Sequence, residues 1–497
     1  MSTRRTDFLW MLAMAGTVVC LVAAAILAPA ALLVLPAGAM VYALTKPWAR
    51  LLFFVVGAFF VFQSGDGISV TKLAYLGAVV FAAACSIYNL GRADRAYLAR
   101  VRPALIGAGL LAVWILGPVL VQGLLPGNVP PAMWARDALT YLLVSAGVFI
   151  GLDAATSVSL KWARLMTVGV GLLAAYGFAT EWIGRRGLTE AAAGTDASWK
   201  EGGLLGSMAA LTLPLALCLV LGLAQRRISM LWLLLAPVFL LAVLVTGTRT
   251  GVVLAVALIG VIGASMKKRV PPGRAVLGGA LGVGALSVAL PIAGAAFSSE
   301  YFVQQRMDQI VRTVEEGFGS DASGLIRQRA TNYCLDIFKE HPLMGQGLGI
   351  YFPNPNPGGF ASNFSIDSWA VLPAKFGLIG TAVVVTAIIM IFHGLIRKGE
   401  GEWLYENAAV RAAFLTLIAL VPFGTSPEDK GFSVTVALAA ALVGAAASRP
   451  SLVHAGDGVS VSGDGDLVVG ANPRVRQADD RGELSGRYGR TLNVTRQ

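Results

Sequence analysis

Apolar stretches of roughly twenty residues recur along most of this 497-residue chain, separated by short polar breaks. A helix needs about that length to cross the hydrocarbon layer of a membrane. Lipid offers no water to unpaired backbone groups, so only helices and closed barrels span it, and barrel strands would show short alternating segments instead. The pattern therefore predicts an all-α polytopic membrane protein with about fourteen transmembrane helices.

Composition supports this prediction, because 56% of the residues are hydrophobic and only 13% are charged. Soluble domains are about one quarter charged. The predicted spans lie near residues 8–27, 30–45, 49–63, 70–90, 103–122, 137–152, 165–182, 203–224, 229–246, 250–266, 275–297, 369–393, 408–423 and 432–448.

Positive charge falls between alternate spans, which is typical of cytoplasmic loops. The basic clusters are Lys46 and Arg50; Arg92, Arg95, Arg100 and Arg102; Lys161 and Arg164; Arg226 and Arg227; Lys267, Lys268, Arg269 and Arg274; and Arg397 and Lys398. With Arg4 and Arg5 also inside, both termini are predicted to be cytoplasmic. This topology explains the net charge of +11, which therefore does not indicate nucleic acid binding.

One predicted outer loop, residues 298–366, is far longer than the others and too polar to cross a membrane. Apolar residues recur at helical spacing over 303–318 and 326–338, which predicts two amphipathic helices lying on the membrane face. After residue 448 the chain is rich in Gly, Asp and Arg and has little apolar periodicity. The predicted domains are therefore a membrane domain, 1–448, and a disordered cytoplasmic tail, 449–497.

The sequence indicates neither a metal site nor a nucleotide cofactor. Its four cysteines lack metal-ligand spacing, since three fall in apolar segments and Cys334 stands alone in the polar outer loop. No Gly-rich loop with a following Lys and Ser or Thr occurs to bind a nucleotide. We therefore expect no metal and no cofactor.

Arginines in the predicted outer loops are exceptions to the concentration of positive charge in cytoplasmic loops, so they require an explanation. They are Arg136, Arg185, Arg186, Arg249, Arg327 and Arg329. Such side chains either reach lipid headgroups and nearby carboxylates or bind an anionic ligand. For Arg249 we favour the ligand, because TGTRTG is a tight turn between two spans and a guanidinium binds phosphate oxygens in pairs. At that depth, the anion would be a lipid phosphate or pyrophosphate.

Three segments follow one another in the second half of the chain: TGTRTGVVLA, SGLIRQRATNYCLDIFKEHPLMGQGLG and IDSWAVLPAKFGLIG. With the large outer loop, they resemble the Wzy-type family of bacterial O-antigen ligases and O-antigen or exopolysaccharide polymerases. The resemblance implies that Arg249 and Arg327 bind the undecaprenyl pyrophosphate of a lipid-linked glycan donor. The further candidate substrate-binding residues are Arg185, Arg186, Arg329 and His341.

One position departs from the family pattern. Ligases of this family usually carry a His-Asn pair just before the span that follows the outer loop, whereas this chain has Asp367 and Ser368. Related polymerases often carry an Asp there, so the departure favours a polymerase. Asp367 either accepts a proton from the acceptor hydroxyl or caps the following span. Glu428 and Asp429, in another outer turn, are the second candidates for the base.

The resemblance implies polymerisation of lipid-linked repeat units into O-antigen or exopolysaccharide, by metal-independent glycosyl transfer outside the bacterial cytoplasmic membrane. The implied partners are the undecaprenyl-pyrophosphate-linked donor, a glycan acceptor and the bilayer, with a flippase and a chain-length regulator as further candidates. The sequence leaves open a ligase that transfers glycan to a lipid core or protein, an anion or solute transporter, and a scaffold. A transporter predicts charges or helix breaks near the middle of the bilayer.

Overall fold

The computed structural model describes residues 41–42, 44–62, 70–124, 129–185, 208–224, 230–245, 254, 257–263, 322–350, 368–396, 404–419, 430–447, 459–461 and 467–469. Over these ranges the chain consists of helices, turns and one short hairpin. The predicted helical class is therefore confirmed for the described part of the membrane domain.

The helices and strands are α1 (Pro47–Val61), α2 (Val70–Leu90), α3 (Arg95–Trp114), α4 (Leu120–Leu124), α5 (Pro131–Ala155), α6 (Leu160–Arg185), α7 (Met208–Ala224), α8 (Met230–Val245), α9 (Ala322–Glu340), α10 (Val371–Leu395), α11 (Leu404–Ala419), α12 (Lys430–Ala447), β1 (Val459–Val461) and β2 (Leu467–Val469). A π-helical segment, Ile115–Val119, joins α3 to α4. The chain divides into two compact units, Met1–Ser448 and Arg449–Gln497. In the second unit β1 pairs antiparallel with β2, a hairpin that the sequence pattern did not predict.

Four of the described helices are long and apolar enough to cross a membrane: Thr71–Leu90, Arg95–Gly123, Pro131–Ala155 and Val371–Leu395. Shorter apolar helices accompany them within α1, α7, α8 and α12. These helices make the chain a multi-pass membrane protein. The total of about fourteen spans is not confirmed, because several predicted spans lie outside the described residues.

Helix α5 is the most buried of these four candidate spans. Two glycines on one of its faces, Gly147 and Gly151, lie against Ser433 and Ala437 of α12. A side chain at Gly151 would collide with the backbone carbonyl of Ala437. Small residues spaced by four bring helices close together in membranes, where lipid is as apolar as the helices and burial alone provides little driving force. Direct backbone approach therefore sets the packing of α5 against α12.

Three of the predicted basic clusters lie at one end of the helix bundle, where their arginines bind carboxylates or carbonyls. Arg50, at the start of α1, pairs with Asp153 near the end of α5, and its Nε lies 3.1 Å from Oδ2 of that residue. Arg164 of α6 pairs with Glu406 of α11, and Arg100 of α3 donates to the carbonyl oxygen of Ala447 at 2.7 Å. These contacts bring the starts of α1, α3, α6 and α11 and the ends of α5 and α12 together at one end of the bundle.

The Arg50–Asp153 pair is almost fully buried, with each side chain 1% exposed. Ser86 also donates to Asp153, at 3.0 Å, which ties α2 to the same carboxylate. A buried charge left without its partner is strongly destabilising, whereas removal of both charges is far less so. The pair therefore holds α1, α2 and α5 together at this end.

Arg50→Met leaves the Asp153 carboxylate buried without its cation, and breaking such a pair costs about 3–5 kcal/mol. We expect the purified R50M protein to unfold in detergent at a clearly lower temperature than the native protein. The double variant R50M/D153L contains neither charge and should recover most of the loss. Equal instability of the single and double variants would contradict a stabilising role for the pairing.

Candidate functional site

The loop helix α9 forms because the apolar residues of its sequence fall on one face. Ala330, Cys334 and Ile337 are buried, and the last two pack in one cluster with Ala370 and Val371 at the start of α10. The helix predicted over 326–338 is thus confirmed and extends over 322–340. Its predicted companion at 303–318 lies outside the described residues.

Cys334, the cysteine of the predicted polar loop, lies within the helix predicted there and is a free thiol. Cys334 lies on α9 and is 0% exposed. Its spacing of four from Ala330 places both residues on the packed face of the helix. The thiol is therefore part of the contact between α9 and α10.

Helix α9 carries two of the arginines that the sequence predicts on the outer side, Arg327 and Arg329. Arg327 is half-buried and Arg329 is exposed. In the described part of the chain, neither guanidinium pairs with a carboxylate. Asp336, a potential partner on the same helix, instead pairs with Lys339 at 2.8 Å. The described carboxylates therefore do not neutralise these two positive charges. An arginine that binds an external anion must keep its charge available in this way.

A hydrogen bond joins α9 to the segment before α10. The hydroxyl groups of Thr331 and Ser368 lie 2.8 Å apart, and the Ser368 oxygen also accepts from the backbone N–H of Ala370 at 3.1 Å. Thr331 follows Arg327 by four residues, so the two lie on the same side of the helix, one turn apart. The hydrogen bond to Thr331 therefore places Ser368 one helical turn from Arg327. Ser368 directly follows Asp367, the candidate base, in the sequence.

The HPLMGQGLG segment ends α9 and forms a turn over residues 341–350. Gly345, Gly347 and Gly349 have φ of 72°, 97° and 82°, a region that side chains with a Cβ rarely adopt. Glycine, which has no Cβ, adopts such dihedrals at little cost, so these positions suit it. The helix ends at Glu340, two residues before Pro342.

The turn 341–350 binds to an interruption in α10. Gly377 has a φ of 62° within this helix, so the helical hydrogen-bond ladder is broken there. The bonds across the interruption are Gln346 N to Ala374 O at 2.9 Å, Gly347 N to Lys375 O at 2.9 Å, Leu378 N to Pro342 O at 2.8 Å and Ile379 N to Leu343 O at 3.1 Å. The turn thus supplies hydrogen-bond partners for the backbone groups of α10 that the break leaves unpaired. Gly345 and Gly377 have no side chains, so the turn and α10 come into direct backbone contact there.

Helix α4 reaches the same turn. The side-chain amide of Gln122 donates to the carbonyl oxygens of Gly345, at 2.7 Å, and Met344, at 3.3 Å. The end of the α3–α4 span that lies away from Arg100 therefore contacts the segment that follows α9.

A buried ion pair lies beside the turn. Lys375 of α10 is 1% exposed, and its Nζ lies 3.0 Å from Oδ2 of Asp137 on α5. The same Asp137 oxygen accepts from the backbone N–H of Gly349 at 2.9 Å. One carboxylate thus connects α5, α10 and the turn.

Two side chains near the turn, His341 and Tyr333, are of types that can accept a proton. The His341 side chain is exposed, while its backbone N–H donates to Ile337 O at 3.0 Å. Burial raises the pKa of Tyr333, and Cys334 and Glu340 raise it further. These effects favour the protonated form of Tyr333.

Several predicted site residues lie where the structure gives no description of their side chains. They are Arg185, Arg186, Arg249 and Asp367, together with Glu428 and Asp429. Arg136 is on the second turn of α5, which begins at Pro131, earlier than predicted. Among the described residues, no cluster of three or more His, Cys, Asp or Glu side chains could hold a metal ion.

Sequence reasoning missed Gln122, Asp137 and Lys375. The available signal was an acid and a base, each inside an otherwise apolar predicted span. Their separation by more than two hundred residues hid the pairing, because hydrophobic periodicity reports only which face of a helix is apolar.

Comparison with known proteins adds one finding. A family model described as O-antigen ligase matches residues 238–385. This range contains α9, the turn 341–350 and the interrupted first half of α10. No curated protein matches the chain significantly. The match over residues 238–385 confirms the resemblance of this chain to the O-antigen ligase and polymerase family.

Proposed function

We propose that this protein polymerises lipid-linked glycan repeat units on the outer face of a bacterial cytoplasmic membrane. The observation that carries the proposal is Arg327, a half-buried arginine on the loop helix that pairs with no described carboxylate, inside the region that the O-antigen ligase family model matches. Such a guanidinium is suited to the pyrophosphate of an undecaprenyl-linked donor, since it presents paired donors and keeps its charge.

The distribution of basic residues supports a location of this site on the outer side of the membrane. Basic clusters at the starts of α1, α3 and α6 gather at one end of the bundle, and basic loops favour the cytoplasm. Helix α9 follows the opposite end, since it packs against the start of α10, whose other end contacts Ala104 of α3 through Gly394. This arrangement supports a site that faces away from the cytoplasm.

Glycosyl transfer at this site breaks the bond between the anomeric carbon of the donor and its pyrophosphate oxygen. The acceptor hydroxyl oxygen forms the new glycosidic bond, and undecaprenyl pyrophosphate leaves with the electron pair of the broken bond. Arg249 and Arg327 stabilise the charge that develops on the leaving group. Fixed charges of this kind act strongly at a low-dielectric boundary, and removal of one such donor typically costs about 100-fold or more in rate.

Asp367 is the proposed acceptor of the hydroxyl proton. The support is its place in the chain: the next residue, Ser368, is hydrogen-bonded to Thr331 one turn from Arg327. Arg185, Arg186, Arg329 and His341 are proposed to contact the donor or the acceptor glycan.

Transport of an anion or solute is less well supported. In the four long candidate spans, every Asp, Glu, Lys and Arg lies within eight residues of a span end, as Lys72, Arg102, Asp153 and Lys375 illustrate. Transporters instead gather charge and broken helices near the bilayer midplane. The interruption at Gly377 is also near a helix end, seven residues into α10.

Arg327→Gln is expected to reduce polymer formation by about 100-fold or more, because it removes charge stabilisation of the leaving pyrophosphate. The matched control is Lys339→Gln, which removes an exposed charge from the same helix and should leave polymer formation unchanged. The measurement is polymer yield per membrane-inserted protein. Unchanged polymer with an inserted R327Q protein would contradict the pyrophosphate role.

Asp367→Asn removes the proposed base while preserving size and is expected to slow polymerisation by about 100-fold, within the range of general-base catalysis. Asp367→Glu should retain part of the activity because it keeps a carboxylate. Equal rates for the Asn variant and the native protein would assign Asp367 to helix capping alone.

Loss of the protein should leave single repeat units on the lipid carrier, since a polymerase is the enzyme that joins these units into a chain. Loss of a ligase would instead leave long polymer on the carrier. Mass analysis of the lipid-linked glycans in a strain lacking the protein distinguishes the two, and long carrier-bound chains would favour the ligase.

A further inference from the structure

We propose that Asp137 and Lys375 are positioning residues that hold the turn 341–350, and through it Arg327 on α9, at the place where the donor reacts. This inference rests on the proposed function. Neither side chain belongs to the arginine and carboxylate set proposed for catalysis. Their role is to fix the helix that carries Arg327.

The ion pair lies where charge is expensive. Asp137 and Lys375 are in two candidate spans, and their side chains are 7% and 1% exposed. Ionisable groups buried in membrane helices are rare and generally mark functional sites. A buried pair of this kind is also weak evidence for stability, since its desolvation offsets much of its attraction. A role in placing a neighbouring segment explains why the charges lie there.

That segment is the turn. Oδ2 of Asp137 accepts from both Lys375 Nζ and Gly349 N, at 3.0 and 2.9 Å. Lys375 orients the carboxylate, and the carboxylate holds the backbone of Gly349. The carbonyl oxygen of Lys375 also accepts from Gly347 N at 2.9 Å. Lys375 therefore holds the turn in two ways, directly through its backbone and indirectly through the Asp137 carboxylate.

The turn continues directly from α9, so its attachment acts on the whole helix. Arg327 lies thirteen residues before Glu340, or about 20 Å along a rigid helix at 1.5 Å per residue. A small tilt at the turn therefore moves the guanidinium by ångströms. A misplacement of about 1 Å can lower a reaction rate by about 100-fold even when it arises far from the reacting atoms.

Two matched double variants test the role of the Asp137 acceptor. D137N/K375Q removes both charges but keeps an oxygen that can accept from Gly349. D137L/K375M removes the charges and the acceptor. We expect the first to polymerise nearly as fast as the native protein and the second to lose about 100-fold in kcat with little change in KM for the donor. Hydrogen exchange over 341–350 should be faster only in D137L/K375M.

Combination with Arg327→Gln distinguishes positioning from a separate structural effect. If the pair acts through Arg327, D137L/K375M should cause little further loss in the R327Q background. Additive losses, or equal activity of the two double variants, would overturn the positioning role while leaving the proposed function intact. Native activity of R327Q would instead overturn the proposed function.

A milder variant applies if D137L/K375M fails to insert. Gln122→Leu removes the amide that donates to Gly345 and Met344 of the same turn, without placing or stranding a charge. We expect a smaller loss of kcat that again disappears in the R327Q background. A kcat equal to that of the native protein, or a loss that adds to that of R327Q, would overturn the inference.

Discussion

A helix in a membrane can be interrupted only where other protein groups satisfy the backbone atoms that the interruption releases. Helix α10 breaks at Gly377, and the turn that ends α9 supplies the missing hydrogen-bond partners. This exchange joins the loop helix to a membrane span through backbone atoms. The position of the loop helix, and hence of Arg327, depends on it.

The arginines of this protein differ in how their charge is balanced. Arg50 and Arg164 pair with buried carboxylates at the basic end of the bundle, which makes them part of the scaffold. Arg327 and Arg329, beyond the other end, pair with no carboxylate in the described part of the chain. An arginine without an internal counter-ion can neutralise an external anion, and this contrast connects the fold to the proposed chemistry.

Much of the described architecture could be predicted from local patterns. Apolar runs placed the spans that correspond to α2, α6, α7, α8 and α10, and the amphipathic spacing around Ala330 predicted α9. The glycines of HPLMGQGLG favour a turn with unusual dihedrals, and Gly345, Gly347 and Gly349 have positive φ. Helix ends were less predictable: α5 begins at Pro131 because proline fits a first helical turn.

The sequence by itself determined that this chain crosses a membrane repeatedly and which of its segments carry charge, because hydropathy and charge are properties of local composition. The HPLMGQGLG and SGLIRQRATNYCLDIFKE segments also identified the family region. Only the tertiary structure decided that Asp137 meets Lys375, and that both hold the turn after α9. Such contacts depend on how helices distant in the chain pack, and no periodicity within one helix encodes the identity of its partner.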